Sequence, residues 1–197
     1  MARNFTEIAF TPSVRREQER NQSRTQYARV EASNLEFNQL TDRDRRFIEE
    51  RDTFFMATVG ENGWPYIQHR GGPKGFLKVL DERTLGFADY RGNRQYISVG
   101  NLRADDRVAL ILIDFVNRRR LKLWARARVV DLNDHPGLIA RLEDPDYDAK
   151  VERAIVLHIE ALDWNCPQHI TPRFTEEEVI DLVVPFMDLT APLPSAS

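Results

Sequence analysis

Seven short segments between residues 53 and 162 have the length and composition of β-strands, and this pattern limits the fold more than any other feature. Turn residues separate them, among them Glu61-Asn62-Gly63 and Asp81-Glu82-Arg83, which are typical of hairpins between antiparallel strands. The predicted strands are Thr53 to Val59, Pro65 to Arg70, Phe76 to Leu80, Thr84 to Asp89, Arg107 to Phe115, Arg120 to Val130 and Val151 to Leu162.

Two of these strands indicate how the sheet is buried. The segment from Val108 to Ile113 is apolar on both alternating faces, which predicts a central strand that is covered on both sides. The segment from Arg120 to Arg128 alternates charged or aromatic residues with Leu and Ala, so one of its faces is core and the other polar. The chain is therefore predicted to be mainly β, a closed or nearly closed barrel of six or seven antiparallel strands with peripheral helices.

The other segments predict helices and tails around a single core, since 197 residues suit one domain. Thr41 or Asp42 begins a short helix that ends near Arg51, and Asn93 to Leu102 has helical spacing. The predicted organisation is an N-terminal arm or set of short helices over residues 1–40, a barrel domain over 41–190 and a disordered tail over 191–197.

Three features predict a cytoplasmic protein without a membrane partner. No apolar run approaches the roughly 18 residues that a membrane span requires. The opening residues, Met1 to Phe5, lack the apolar core of a secretory signal. The single cysteine, Cys166, excludes an internal disulfide and fits a reducing compartment.

Positive charge is concentrated in the middle of the chain. Residues 67–126 hold 13 Lys or Arg and 6 Asp or Glu, a net charge of +7 in a chain whose total is −3. An anion is therefore the expected ligand of this region. The basic residues occur singly along strands and turns, and acidic stretches at residues 143–148 and 176–178 would repel a polyanion, so nucleic acid is not the predicted partner.

Two stretches within this basic region combine Arg and Lys with glycine-containing turns. They run from Gln68 to Asp81 and from Phe87 to Tyr96, and they include the Gly71-Gly72 pair. Glycine allows close approach of the backbone, whose amide groups then donate to a ligand, while Arg and Lys supply charge. This composition is typical of a phosphate-binding clamp.

At these residues the sequence resembles the pyridoxamine 5'-phosphate oxidase-like family of FMN-binding split barrels. The resemblance runs from about Phe47 to Asp131 and resumes from Asp163 to Thr175. It implies a split β-barrel, FMN as cofactor, and a homodimer with flavin sites at the subunit interface. It also implies a flavoprotein oxidoreductase that acts on a small-molecule substrate, with an electron donor such as NAD(P)H.

The resemblance also implies which residues contact FMN. Lys78 and Arg94 take the positions that contact the phosphate, and the alternative for Lys78 alone is a side chain that extends along the strand to water. The segment from Gln68 to Gly72 lies along the isoalloxazine, although the glycine pair would equally suit a bulge in a barrel strand. Arg120 matches a residue donated by the second subunit. The full predicted set is Gln68, His69, Arg70, Gly71, Gly72, Lys78, Asp89, Tyr90, Gly92, Asn93, Arg94, Gln95, Arg120, Trp164, Asn165 and Gln168.

The segment around Cys166 is dense in chemically active residue types. Cys166 and His169 have a spacing that suits a metal, and Cys166 with His69 or His169 could form a nucleophile and base. One Cys and four His in the whole chain are too few for a structural zinc, so no metal is predicted. A similar segment in related flavoproteins caps the flavin pocket, and we expect the same role here, with catalytic residues unassigned.

The substrate is not predicted by the resemblance. True pyridoxamine phosphate oxidases end with an Arg-x-His motif that holds the substrate phosphate, and this chain has Phe186 to Thr190 in that region without such a pair. Pyridoxine phosphate is therefore not the expected substrate. Two other functions stay open: a non-catalytic flavin-binding carrier or sensor module, and a small nucleic-acid-binding barrel.

Overall fold

The computed structural model describes residues 5–33, 38–164 and 168–184. Its strands are β1 (Thr53–Val59), β2 (Pro65–Gly71), β3 (Lys78–Val79), β4 (Thr84–Tyr90), β5 (Arg107–Asp114), β6 (Arg119–Asp131) and β7 (Val151–Trp164). Its helices are α1 (Phe5–Ala9), α2 (Pro12–Arg20), α3 (Arg24–Ala32), α4 (Asp42–Glu49), α5 (Ile97–Ala104), α6 (Pro136–Leu142) and α7 (Glu176–Val183). Among the described residues, no helix combines the length and the apolar composition that crossing a membrane needs.

All seven strands pair in one antiparallel sheet with the order β2-β1-β5-β6-β7-β4-β3. The sheet curls so that β2, at one end, approaches β4, the strand next to the other end. The contact between Arg70 of β2 and Asp89 of β4 shows this approach. Within the described residues no backbone ladder joins β2 to β4, so the barrel is split there. The predicted mainly β split barrel of six to seven antiparallel strands is confirmed.

Aromatic rings fill the barrel between its two ends. The ring of Phe54 on β1 stacks on Phe76 at 5.4 Å between centroids and meets Phe87 of β4 edge-on at 5.3 Å. All three side chains are at most 2% exposed. Contacts of this kind add to the free energy gained by burying the rings, so they hold β4 against β1 without backbone pairing.

One end of the barrel is closed by α4. Thr41 and Asp44 form a reciprocal capping box at its start, and Phe47 and Ile48 are buried in the core. The indole nitrogen of Trp164, at the end of β7, donates to Asp44 at 2.8 Å. The sequence predicted this helix from Thr41, and it ends at Glu49, close to the expected Arg51.

Three details differ from the sequence predictions. Strand β3 contains only Lys78 and Val79, because Gly75 takes a positive φ of 75° and delays the strand. Helix α5 begins at Ile97, not Asn93, because positive φ values at Arg94 and Tyr96 interrupt the preceding turn. Strand β5 is central, but the described part of the chain fully buries one of its faces and leaves the other half-buried.

The N-terminal region contains α1, α2 and α3, and α1 packs against the barrel near β7. The ring of Phe5 lies 5.8 Å from that of Trp124, on the polar face of β6. The domain boundaries at residues 40 and 190 stay a prediction, and the tail at 191–197 lies outside the described residues.

Candidate functional site

A groove of about 200 Å³ lies where the two ends of the sheet approach each other. Strand β2 forms one side and β4 the other, and the first turn of α5 lies beside both. Tyr66, Gln68 and Arg70 alternate along β2, so all three side chains lie on the same face of the strand. The groove is lined by Tyr66, Gln68, Arg70, Asp89, Tyr90, Gly92, Asn93, Arg94, Gln95, Tyr96, Ile97, Ser98, Val99 and Glu152.

A buried ion pair joins the two sides of the groove. Arg70 Nη1 donates to Asp89 Oδ1 at 2.5 Å, with the two side chains only 13% and 7% exposed. Arg153 of β7 lies 3.5 Å from the other carboxylate oxygen, so Asp89 lies between two guanidinium groups. Arg70 Nε is also buried, and no described residue accepts its hydrogen bond. The ion pair therefore fixes the Arg70 guanidinium at the wall of the groove.

Glu152, at the start of β7, accepts hydrogen bonds from three side chains at the far end of the groove. Its Oε1 accepts from Arg91 Nε at 2.8 Å and from the Tyr96 hydroxyl at 3.2 Å. Its Oε2 accepts from Arg153 Nη2 at 2.8 Å. The hydrogen bond from Arg91 holds the pKa of the Glu152 carboxyl below its usual value, with further lowering by Tyr96 and Arg153. Glu152 is therefore ionised at neutral pH.

Tyr90 follows Asp89 on β4, and its hydroxyl is buried beside α6. Its ring meets that of Tyr147 edge-on at 5.1 Å between centroids. Burial raises the pKa of the Tyr90 hydroxyl, so it stays protonated at neutral pH. A neutral phenol of this kind can donate a hydrogen bond but carries no charge for an anion.

The turn between β4 and α5 supplies the positive end of the groove. Arg94 is exposed and forms no ion pair or hydrogen bond among the residues that the structure describes. Helix α5 has Tyr96 as N-cap and lacks a side-chain cap bond there. Its first amides therefore have no partner in the helix, and together with the helix dipole they favour an anion.

Side-chain bonds fix α5 over the split in the barrel. Ser98 donates to Gln68 on β2 at 2.8 Å, and Asn101 donates to Thr58 on β1 at 2.9 Å. Ser98 and Thr58 are 2% and 1% exposed. Because both acceptors belong to the β1–β2 hairpin, the start of α5 is held beside that hairpin.

The groove brings together half of the predicted site residues. These are Gln68, Arg70, Asp89, Tyr90, Gly92, Asn93, Arg94 and Gln95. The sequence analysis did not predict the other six lining residues, which are Tyr66, Tyr96, Ile97, Ser98, Val99 and Glu152. The alternation of side chains along β2 could have predicted Tyr66, which shares a face with Gln68 and Arg70. Glu152 could not be predicted in this way, because it reaches the groove through the pairing of β4 with β7. That pairing places its neighbour Arg153 opposite Asp89.

His69, Gly71 and Gly72 lie apart from the groove. His69 is on the opposite face of β2 and bonds Thr53 through its Nε2 at 2.5 Å. Gly71 pairs with Thr53 in the β1–β2 ladder, and the Gly72 amide donates to the Asp52 carbonyl at 3.0 Å. A Cβ on Gly72 would come within 2.7 Å of Phe76, so glycine is needed there for packing at a corner of the barrel.

Lys78 also lies away from the groove. It pairs with Gly86 on β4, and directly opposed residues share one face of a sheet. A Cβ on Gly86 would contact Leu142 of α6, so this face is turned to α6. Asp89 is three residues further along β4 and therefore lies on the other face.

The remaining predicted residues lie near the far end of the barrel or outside the description. Arg120 is paired with Ile113 on the outer face of the sheet. Trp164 packs against Phe47 at 4.7 Å, and Gln168 is exposed. Asn165 and Cys166 lie outside the described residues, and the ranges that are described contain no group of three metal-ligating side chains.

Comparison with known proteins identifies the fold. Crystal structures of HupZ from Group A Streptococcus include one with a TM-score of 0.52 and 12% identity, covering 68% of this chain and 100% of that one. A candidate pyridoxamine 5'-phosphate oxidase from Lactobacillus delbrueckii has a TM-score of 0.50 and 23% identity, covering 66% and 97%. A search of curated proteins found no match.

The family comparison covers most of the barrel. The model of the pyridoxamine 5'-phosphate oxidase family matches residues 40–162, from the residue before the α4 cap to the last part of β7. This range contains every residue that lines the groove. The chain therefore belongs to the pyridoxamine 5'-phosphate oxidase family.

Proposed function

We propose that this chain binds FMN in the groove between β2 and β4 and works as an FMN-dependent oxidoreductase. The observation that carries the proposal is Arg94, a cation with no ion pair to any residue that the structure describes, which lies beside the start of α5 within the region that matches the family. An exposed cation next to the first amides of a helix favours the binding of a phosphate group.

The chain's residues fit the two polar parts of FMN. Arg94, the neighbouring Gln95 and the first amides of α5 would hold the phosphate. Arg70, whose side chain lines the groove, would donate to the polar edge of the ring. Lys78 keeps its predicted role only as a hypothesis from the resemblance, because it lies on the other face of the sheet.

Bound FMN would supply hydride transfer, and the protein would supply orientation and electrostatics. Asp89 and Glu152 are both occupied by arginine partners, so neither is poised to exchange a proton with a substrate. Arg70 is fixed by Asp89, and its guanidinium lies 5.8 Å from the centre of the Phe87 ring. Its donor is therefore preorganised, and little ordering would be needed when the ring binds.

We further propose that the active form is a homodimer. The resemblance implies flavin sites at a subunit interface, with Arg120 in the position that the second subunit contributes. On the outer face of the sheet, Ile111 and Ile113 are half-buried and Ile67 is 63% exposed. A second copy packed on this face would cover them, and Arg120 would then lie at the interface.

The dimer predicts a response to FMN and to a substitution on this face. We expect Ile111→Asp to shift the protein to monomer in sedimentation velocity, because it places a charge in an apolar contact. FMN should partly restore the dimer, since a ligand that binds only the assembled state favours assembly. Ile180→Asp on the exposed helix α7 is the matched control. A wild-type monomer that binds FMN stoichiometrically would contradict the dimer.

Titration of the wild-type protein with FMN and riboflavin tests the cofactor, followed by stopped-flow mixing with NADH or NADPH to test turnover. We expect FMN to bind more tightly than riboflavin, because only FMN carries the phosphate. Rapid saturable reduction supports an oxidoreductase. Slow, non-saturating reduction would instead favour a flavin-binding carrier or sensor, and absence of FMN binding would refute the proposal.

A further inference from the structure

One carboxylate holds both ends of the turn that carries Arg94. Arg91 at the start of the turn and Tyr96 at its end both donate to Oε1 of Glu152, at 2.8 and 3.2 Å. Glu152 belongs to β7, so these bonds join the turn to the barrel wall. Its side chain is 10% exposed and is itself fixed by Arg153.

The turn needs such support because its backbone is strained. Arg94 and Tyr96 have φ values of 64° and 54°, in the left-handed region that residues other than glycine avoid. Strain of this kind persists where the surrounding contacts determine the conformation. Inside the turn the Gln95 amide donates to Asn93 Oδ1 at 3.1 Å, and this bond does not reach the barrel.

A second contact strengthens the same anchor. The guanidinium of Arg153 lies over the Tyr96 ring at 5.0 Å, while its Nη2 donates to Glu152. The Arg91 amide donates to the Lys150 carbonyl at 2.8 Å, which brings the start of the turn beside the start of β7. Glu152 is therefore the point where the turn, the N-cap of α5 and β7 meet.

We propose that Glu152 is a positioning residue that holds the 91–96 turn in the conformation that binds the FMN phosphate. This inference rests on the proposed function. Glu152 acts through Arg91 and Tyr96 and holds Arg94 and the first amides of α5 in place. Its own negative charge repels a phosphate, so the affinity gained by ordering the 91–96 turn has to exceed that repulsion.

Two substitutions separate the ordering of the turn by Glu152 from the effect of its negative charge. Glu152→Ala removes the acceptor and the charge, whereas Glu152→Gln removes the charge and keeps an oxygen that accepts from Arg91 and Tyr96. We expect Glu152→Ala to weaken FMN about tenfold and to leave riboflavin within about twofold, the size of one lost charge-assisted contact. Glu152→Gln should bind FMN as tightly as the wild type or more tightly.

If Glu152 acted only through its charge, both variants would bind FMN more tightly than the wild type, and that result would overturn the inference. Glu160→Ala is the matched control, since Glu160 is on the same strand and pairs with Arg126 away from the groove. Tyr96→Phe removes a single bond to Glu152 and should give a smaller loss specific to FMN. Tyr96→Phe tests the inference if Glu152→Ala does not fold.

Hydrogen exchange on the flavin-free protein tests the anchor without any ligand. We expect amides of the 91–99 segment to exchange about tenfold faster in Glu152→Ala than in Glu160→Ala. Unchanged exchange would refute the anchor even if FMN binds. Faster exchange in a protein whose wild type binds no FMN would keep the anchor and refute the phosphate role and the proposed cofactor.

Discussion

Replacing Asp89 by alanine is expected to lower the free energy of unfolding by about 3 to 5 kcal/mol, because it leaves a buried guanidinium without its partner. Arg70 and Asp89 are 13% and 7% exposed, and Arg153 depends on the same carboxylate. Their bond also connects β2 to β4 where no backbone ladder does. Chemical denaturation followed by circular dichroism measures the change.

The control for this prediction is an ion pair on the surface. Arg103 and Asp131 are 2.8 Å apart and both are 55% exposed, so Asp131→Ala should cost less than about 1 kcal/mol. Replacing both Arg70 and Asp89 by apolar residues should recover part of the loss, since Arg70 is then no longer a buried charge without its partner and Arg153 keeps its ion pair with Glu152. An Asp89→Ala protein as stable as Asp131→Ala would show that this pair does not hold the barrel together.

Arg94→Ala is expected to weaken FMN binding about tenfold to a hundredfold, because a charge-assisted contact to phosphate contributes roughly 1.5 to 3 kcal/mol. Arg94 is exposed and pairs with no described residue, so its removal should leave the unfolding free energy within about 0.5 kcal/mol. A flavin-fluorescence titration measures the affinity. Riboflavin affinity should not change, since riboflavin has no phosphate.

Arg103→Ala is the matched control for Arg94. It removes the same charge from the other end of α5, where the residue pairs with Asp131. We expect it to leave FMN affinity within about twofold, because an exposed charge more than a Debye length of roughly 8 Å from the phosphate is screened. Equal losses in the two variants would mean that Arg94 acts through general charge and makes no direct contact.

The sequence predicted the strands well because their signals are local. All seven occur at or near their expected positions, and the alternation from Arg120 to Arg128 correctly separates a buried from a polar face. The errors arise where backbone conformation departs from pattern. Positive φ at Gly75 shortens β3, and positive φ at Arg94 and Tyr96 delays α5. Spacing alone does not reveal these turns.

The predicted residues that line the groove are those that are continuous in sequence, and their contact with FMN stays a prediction. Gln68 and Arg70 lie on one strand, and Gly92 to Gln95 form one turn, so a resemblance over short motifs was enough to find them. Glu152 follows Arg91 by about 60 residues, and only the pairing of β4 with β7 brings them together. Lys78 is close to the groove residues in sequence but lies on another face of the sheet. That face is set by the pairing of Lys78 with Gly86, which the sequence does not show.

A crystal structure of the protein with FMN tests the central claim most directly. The account predicts the phosphate within hydrogen-bond distance of the Arg94 guanidinium and the first amides of α5, with the ring between β2 and β4 beside Arg70. It also predicts a second copy against the outer face of the sheet. A phosphate bound at Lys78, on the face turned to α6, or an FMN held outside the groove, would contradict the account.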